Sequence, residues 1–316
     1  ENQDALGISS AAYFSYRRSL PIAVANNATY QEIFYDGIED YIFDNDCEVS
    51  NGFQRNLTLY DDLNQYPNLI DDVAHTGRYS LGFPAGTDQS YSINVNDNCT
   101  SVQVRANLQD SDRLNMQDPK ELQSFRENRL NAATGDNCYS VMDATAPPVY
   151  FENKCCACLP ILSPVAYQSY HVSAWVASDS SLFCGVPPNH AFIEVSGVLQ
   201  GPVLFRAAGP VIDGWQRVEG KIEVAGNAET MTIRLGNDGS TVDAYFDDFR
   251  FHPWQSNMQS YVYDPFSLRL MATLDQNNYA SFYEYDDEGL LVRTKRETEK
   301  GIVTLQEGRT VLKSNN

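Results

Sequence analysis

From residue 168 to residue 253 apolar side chains recur at about every second position, in short runs separated by Gly, Pro, Asn and Asp. The runs are 168–177, 191–195, 203–206, 214–224, 230–235 and 242–253. A period of two punctuated by turn residues is the mark of half-buried antiparallel strands, so this region predicts a β-sandwich. The last run, Val-Asp-Ala-Tyr-Phe-Asp-Asp-Phe-Arg-Phe-His-Pro, carries core-sized residues at Ala244, Phe246, Phe249 and Phe251 and ends at a proline. Asp247 and Asp248 break its alternation, and two charges beside a core require compensation. Trp175 and Trp215 sit on alternating strands and are expected in the core.

Upstream, shorter apolar groups at 11–14 and 20–25 lack helical periodicity and predict either the end of a preceding module or a strand docking on the next one. Residues 33–43 flank an acidic turn with apolar residues and open the main domain. In 74–81 (Ala-His-Thr-Gly-Arg-Tyr-Ser-Leu) Gly77 permits a tight turn before Tyr79 and Leu81 alternate into a strand, and 91–95 predicts another. Residues 108–160 change character: Leu122, Phe125 and Leu130 are at roughly helical spacing, so this is expected to be an insertion with at most one short helix. Beyond residue 256 Tyr-x-Tyr-Asp occurs at 261–264 and again at 283–286, each followed by a turn and an apolar strand, which predicts a repeat of hairpins. The expected organisation is 1–33 as an N-terminal segment, 34–255 as an all-β sandwich with its insertion, and 256–316 as a β-hairpin tail.

Charge and cysteine content narrow the functional classes. With 22 basic and 42 acidic residues the net charge is −20, which disfavours nucleic acid and anionic lipid as partners and suits a secreted or surface-exposed protein able to hold divalent cations. No stretch is long and apolar enough to span a bilayer as a helix. The seven cysteines (Cys47, Cys99, Cys138, Cys155, Cys156, Cys158 and Cys184) lie in the first 184 residues and are expected to form disulfides with one thiol left over. Cys155, Cys156 and Cys158 lack the second ligand pair that a zinc site of this spacing uses. No nucleophile elbow, zinc-protease helix, phosphate loop or dinucleotide fingerprint is present, and a non-catalytic role is expected.

The succession of an acidic turn, His-Thr-Gly-Arg-Tyr-Ser-Leu, Tyr-His-Val-Ser-Ala-Trp-Val, Gly-Trp-Gln-Arg-Val and Ala-Tyr-Phe-Asp-Asp-Phe over residues 34–254 resembles the galactose-binding-like jelly rolls, which include many carbohydrate-binding modules. That resemblance implies a structural Ca²⁺ held by Glu39, with Asp40 as the alternative, by the main chain of Thr76 and Arg78, and by Asp247; hard oxygens of mixed type suit that ion. The alternative is that Asp247 and Asp248 accept hydrogen bonds from backbone amides and the Arg78 guanidinium. Sugar recognition calls for exposed aromatic faces, and Tyr60, Tyr66, Phe83 and Trp254, in loops or at strand ends, are the candidates.

The Tyr-Val-Tyr-Asp-Pro and Tyr-Glu-Tyr-Asp-Asp-Glu-Gly-Leu-Leu-Val-Arg units look like YD (RHS-type) repeats, and the stretch 295–305 resembles the C-termini of giant surface proteins of Bacteroidota, some exported by the type IX route. Together these resemblances imply a secreted or cell-surface binding or adhesion module whose partner is a surface glycan or protein. The alternative is a structural C-terminal domain recognised by a secretion or outer-membrane assembly machinery.

Overall fold

The computed structural model describes residues 2–3, 9–16, 19–41, 57–60, 67–96, 142–143, 149–150, 162–179 and 189–308. The seven cysteines, the helix expected near 119–130 and Tyr66 lie outside the described residues. The chain divides into two units, one of residues 1–43, 57–96 and 162–316, the other of residues 44–56 and 97–161. The described backbone of the second unit is a two-stranded hairpin, Met142–Asp143 against Val149–Tyr150. All other described elements belong to the first.

In chain order the strands are β1 (Asn2–Gln3), β2 (Ser9–Ser15), β3 (Leu20–Asn26), β4 (Phe34–Asp36), β5 (Asn68–Ile70), β6 (Ser80–Phe83), β7 (Thr87–Asn94), β8 (Met142–Asp143), β9 (Val149–Tyr150) and β10 (Ser169–Ser178). They continue as β11 (Ala191–Ser196), β12 (Val203–Ile212), β13 (Trp215–Glu223), β14 (Thr230–Asn237), β15 (Ala244–Pro253), β16 (Asn257–Tyr263), β17 (Leu270–Leu274), β18 (Ala280–Tyr285), β19 (Leu291–Thr298) and β20 (Gly301–Glu307). A single 3-10 turn, Tyr30–Glu32, is the only helical element among the described residues.

The described strands from β4 to β7 and from β10 to β15 form a two-layered β-sandwich, as the alternation over residues 168–253 predicts. One layer holds β5, β6, β15, β10 and β13, with β4 beside β6 on the same edge of β15; the other holds β11, β14 and β7. Strand β12 belongs to both, pairing with β11 through Val203 to Arg206 and with β13 from Ala207 onward. From β10 to β15 the chain keeps crossing between layers, so each inner face buries every second residue. Val172, Val176, Val218, Ile222, Phe246 and Phe251 of one layer meet Tyr91, Ile93, Ile193, Val195, Met231, Ile233 and Leu235 of the other in one continuous core. Each such side chain contributes about 1.5–3 kcal/mol by leaving water.

The irregularity at Asp247 and Asp248 is a β-bulge. The register between β10 and β15 shifts between Ser173 and Trp175, and Asp248 has φ 50°, so one extra residue is inserted and the inward positions change from Phe246 to Phe249 and Phe251. The bulge lets three phenylalanines reach the core while it aims both carboxylates away from it.

A second sheet runs in the order β1-β2-β3-β16-β17-β18-β19-β20. The chain leaves this sheet after β3, builds the sandwich and returns as β16, which pairs with β3 from Ala23 to Asn26. The N-terminal strands and the C-terminal hairpins are thus neighbours in one sheet. The two Tyr-x-Tyr-Asp units have matching geometry. In each, the register shifts at the second tyrosine, and the hydroxyl of that tyrosine donates to a carbonyl on an earlier strand: Tyr263 to Pro21 O at 3.2 Å and Tyr285 to Leu270 O at 2.9 Å. The next aspartate closes the turn, Asp264 accepting from Ser267 N at 2.9 Å and Asp286 from Leu290 N at 2.8 Å.

This sheet covers the outer face of the sandwich layer that contains β10 and β15. Trp175 donates through Nε1 to Asn278 O at 2.8 Å, and Arg250 donates to Asp275 O at 2.7 Å and Leu274 O at 3.1 Å. Trp175 and Trp215 are both buried, in a small cluster with Ala177 and Ile212.

Candidate functional site

Two places gather chemically distinctive side chains. The first is the buried acidic cluster at the bulge. Asp247 Oδ2 accepts from the amides of His75 (2.8 Å) and Thr76 (3.1 Å), and its Oδ1 from the amide of Asp248 (2.7 Å). Asp248 accepts from Tyr35 Oη at 2.6 Å, from Thr76 Oγ1 at 2.9 Å and from His75 Nδ1 at 2.6 Å. The other His75 nitrogen reaches Glu297 Oε1 of the hairpin sheet at 3.0 Å, and the ring stacks on Trp175 with centroids 4.3 Å apart. A ring held between two carboxylates is an imidazolium: burial alone would lower its pKa, but the hydrogen bonds to Asp248 and Glu297 raise it to about 9.

Glu39 lies across the same turn. Its Oε1 accepts from the amides of Arg78 (2.5 Å) and Tyr79 (2.8 Å), whereas Oε2 is buried and has no hydrogen-bond partner among the described residues. Burial is the main reason its pKa rises to about 8, and the charges of Asp248 and Asp40 add to it. Asp247 is also pushed well above the usual carboxylate range, by burial first and then by Asp248 and Glu39. Gly77, with φ 69°, is required at the turn, because a Cβ there would lie 2.2 Å from Glu39 Oε1.

The structure therefore brings Glu39, Thr76, Arg78 and Asp247 together, with Asp40 buried next to Glu39 in the chain. The amides of Thr76 and Arg78 donate to these carboxylates, as the hydrogen-bonding alternative expects for the aspartates. The Arg78 guanidinium goes elsewhere, to Asp264 Oδ1 at 2.6 Å. No group of three or more His, Cys, Asp or Glu side chains converges as a metal site among the described residues. A cation here would draw on Glu39 Oε2, Asp247 and main-chain oxygens. The orphaned Glu39 oxygen and the suppressed ionisation of both carboxylates fit such an ion.

The second place is a cleft of about 620 Å³ where the chain crosses between the sandwich and the hairpin sheet, at Asn27 to Thr29 on leaving and Pro253 to Gln255 on returning. Trp254, 47 % exposed, stands on one side, fixed by its amide donating to Ser169 O at 2.9 Å. Tyr167, 73 % exposed, also lines the cleft, its ring laid against Gly226, where a Cβ would be 1.8 Å from Tyr167 Cζ. Tyr167 has φ 63°, a left-handed conformation that bulky residues seldom adopt, and Asn27, of a type that adopts it readily, has φ 57°. The Lys221 ammonium lies 5.0 Å from the centre of the Trp254 ring. Gln168, Ser169, Gln255 and Thr29 supply amide and hydroxyl groups along the wall.

Of the three described aromatic candidates, Trp254 is the one that lines this cleft. Phe83 is fully buried, 5.3 Å from the Phe246 ring, and Tyr60 is half-buried with its ring edge-on to Tyr41 at 5.5 Å. Tyr167 and Lys221 escape a sequence reading. Tyr167 follows Pro164 in a loop like many other tyrosines of the chain, and Lys221 meets Trp254 only because His171 of β10 pairs with Lys221 on one side and His252 on the other. A smaller recess of about 280 Å³ on the outer face of β11, β12 and β14 holds Arg206 and Arg234 over Phe192, but both cations are paired there, with Asp238 and with Asp88 and Glu194.

The chain matches no protein-family model and no curated protein. Among solved structures it is similar to the CBM22-1 xylan-binding domain of Paenibacillus barcinonensis Xyn10C (11% identity, 59% of this chain and 80% of that one, TM-score 0.27). A family 16 carbohydrate-binding module gives 10% identity, 59% and 86% coverage and TM-score 0.27. The CBM22-1-GH10 modules of Clostridium thermocellum xylanase 10B, complexed with xylohexaose, give 20% identity, 28% and 17% coverage and TM-score 0.22, so this chain spans under a fifth of that protein.

Proposed function

We propose that this chain is a non-catalytic glycan-binding module of a secreted or surface protein, stabilised by Ca²⁺. The observation that carries the binding role is the cleft in which two solvent-facing aromatics, Trp254 and Tyr167, stand beside a wall of amides and hydroxyls. Sugar rings present a C–H face that stacks on an aromatic ring and a rim of hydroxyls that needs hydrogen-bond partners, and this cleft offers both. Ca²⁺ is assigned to Glu39 and Asp247 with main-chain oxygens of the Thr76 to Arg78 turn, where it would neutralise carboxylates whose ionisation burial disfavours. The matched tyrosine and aspartate contacts of the two C-terminal hairpins support reading them as YD-type repeats.

A glycan array probed with the intact chain, with Ca²⁺ and with a chelator, tests this reading. A defined sugar class should be bound, and Trp254→Ala should weaken that binding about tenfold, equivalent to about 1.4 kcal/mol. A folded chain that binds no glycan contradicts it and favours a structural domain recognised by an assembly machinery.

A further inference from the structure

The charge distribution in the Trp254 cleft selects among glycans. Two side chains lining it are charged, Glu32 and Lys221. Glu32 is buried and its carboxylate is fully engaged, Oε2 by Thr29 N (3.1 Å) and Thr29 Oγ1 (2.7 Å), and Oε1 by Tyr170 Oη (3.0 Å). Glu219, two residues along the same strand face, is held by Arg217 at 3.0 Å and by His171 at 3.5 Å. Lys221 is exposed, and its one described contact is the indole face of Trp254. An uncommitted ammonium resting on an aromatic platform is therefore the charge this cleft presents, in a chain of net charge −20.

A sugar that stacks on that indole face must move the ammonium aside. A neutral sugar removes the cation from the ring and gives it nothing in return. An anionic sugar takes the ring and supplies a partner for the cation in the same step. From this we infer that the cleft takes an acidic glycan, with Lys221 pairing to its anionic group while Trp254 and Tyr167 hold the ring. The inference rests on the glycan-binding reading and names the class of sugar that the same site prefers. Lysine serves as a point charge for either a carboxylate or a sulfate ester, so the shared chemistry is one anionic group per stacked residue.

The test is titration calorimetry of the intact chain at a fixed Ca²⁺ concentration in about 0.15 M salt, where screening over roughly 8 Å confines the effect to nearby charges. The probes are oligogalacturonate, oligoguluronate and glucuronoxylan fragments, each paired with its carboxyl-reduced form, and a sulfated galactan paired with its desulfated form. The expected result is one acidic probe bound about twofold to fivefold more tightly than its neutral partner, the range for an exposed ion pair. Lys221→Gln should abolish that difference by weakening the acidic probe relative to its neutral partner, and Lys221→Arg should keep it. Which pair shows the preference distinguishes carboxylate from sulfate. Equal binding of both members of every pair, or a preference that survives Lys221→Gln, overturns the inference; the glycan-binding reading then stands if Trp254→Ala still weakens the neutral sugar. Absence of binding to every probe by a folded chain that binds another glycan on the array overturns the inference alone; absence on the array as well overturns both.

Discussion

Glu39 has one carboxylate oxygen on two amides and the other, buried, on none. Its pKa is raised from 4.5 to about 8, so the folded chain holds a proton that the unfolded chain has released. Without a cation, stability contributed by this group falls as pH rises from about 4.5 to about 8. A Ca²⁺ bound at Glu39 would have to displace that proton at low pH but not at high pH. The gain in melting temperature on adding Ca²⁺ should therefore be small at about pH 5 and large at about pH 8, and should vanish in Glu39→Gln. A pH-independent gain, or one unchanged in that variant, contradicts the assignment. His75 has the opposite charge type. Its pKa is raised from 6.5 to about 9, so its stabilisation is complete below 6.5 and is lost as pH rises through 9. His75→Gln should cost about 3–5 kcal/mol in denaturant unfolding, because Asp248 and Glu297 lose the cation between them; a cost below about 1 kcal/mol would show that the imidazolium is not what holds them.

At the scale of elements, alternation located the strands of the sandwich and of the hairpins but not their partners. A period of two says which face a residue takes, not which strand lies beside it, so the pairing of β3 with β16, residues 23–26 against 257–260, has no local signal. The interruption at Asp247 and Asp248 was legible, whereas its cause, a bulge set by pairing with β10, was not. The set Glu39, Thr76, Arg78 and Asp247 was named from the resemblance to galactose-binding-like jelly rolls, and Trp254 as an aromatic in a loop or at a strand end. Tyr167 depends on Gly226, which is distant in sequence and leaves room for the ring. Gly226→Ala should push the ring off its seat and weaken glycan binding several-fold, with stability unchanged within about 0.5 kcal/mol as for a surface substitution. Unaltered affinity in that variant would remove Tyr167 from the site.

For the whole molecule, the hairpin sheet closes over charged groups of the sandwich. Arg250 is buried with its guanidinium on the carbonyls of Leu274 and Asp275, Trp175 bonds to Asn278, and His75 to Glu297. Removing residues 256–316 would strip a buried cation, an indole N–H and an imidazolium of these partners. A chain ending at Gln255 should therefore lose cooperative thermal unfolding, and a sharp transition with unchanged near-UV circular dichroism would contradict this. The two crossings between sandwich and sheet also build the cleft, so the proposed binding site depends on how they meet. Trp175 and Trp215 are buried, and Trp254 is the tryptophan that solvent reaches. The most direct measurement is acrylamide quenching of tryptophan fluorescence during titration with the glycan found on the array. The quenchable fraction should disappear as the sugar saturates; saturable binding with quenching unchanged would place the sugar elsewhere and contradict a binding cleft built on Trp254.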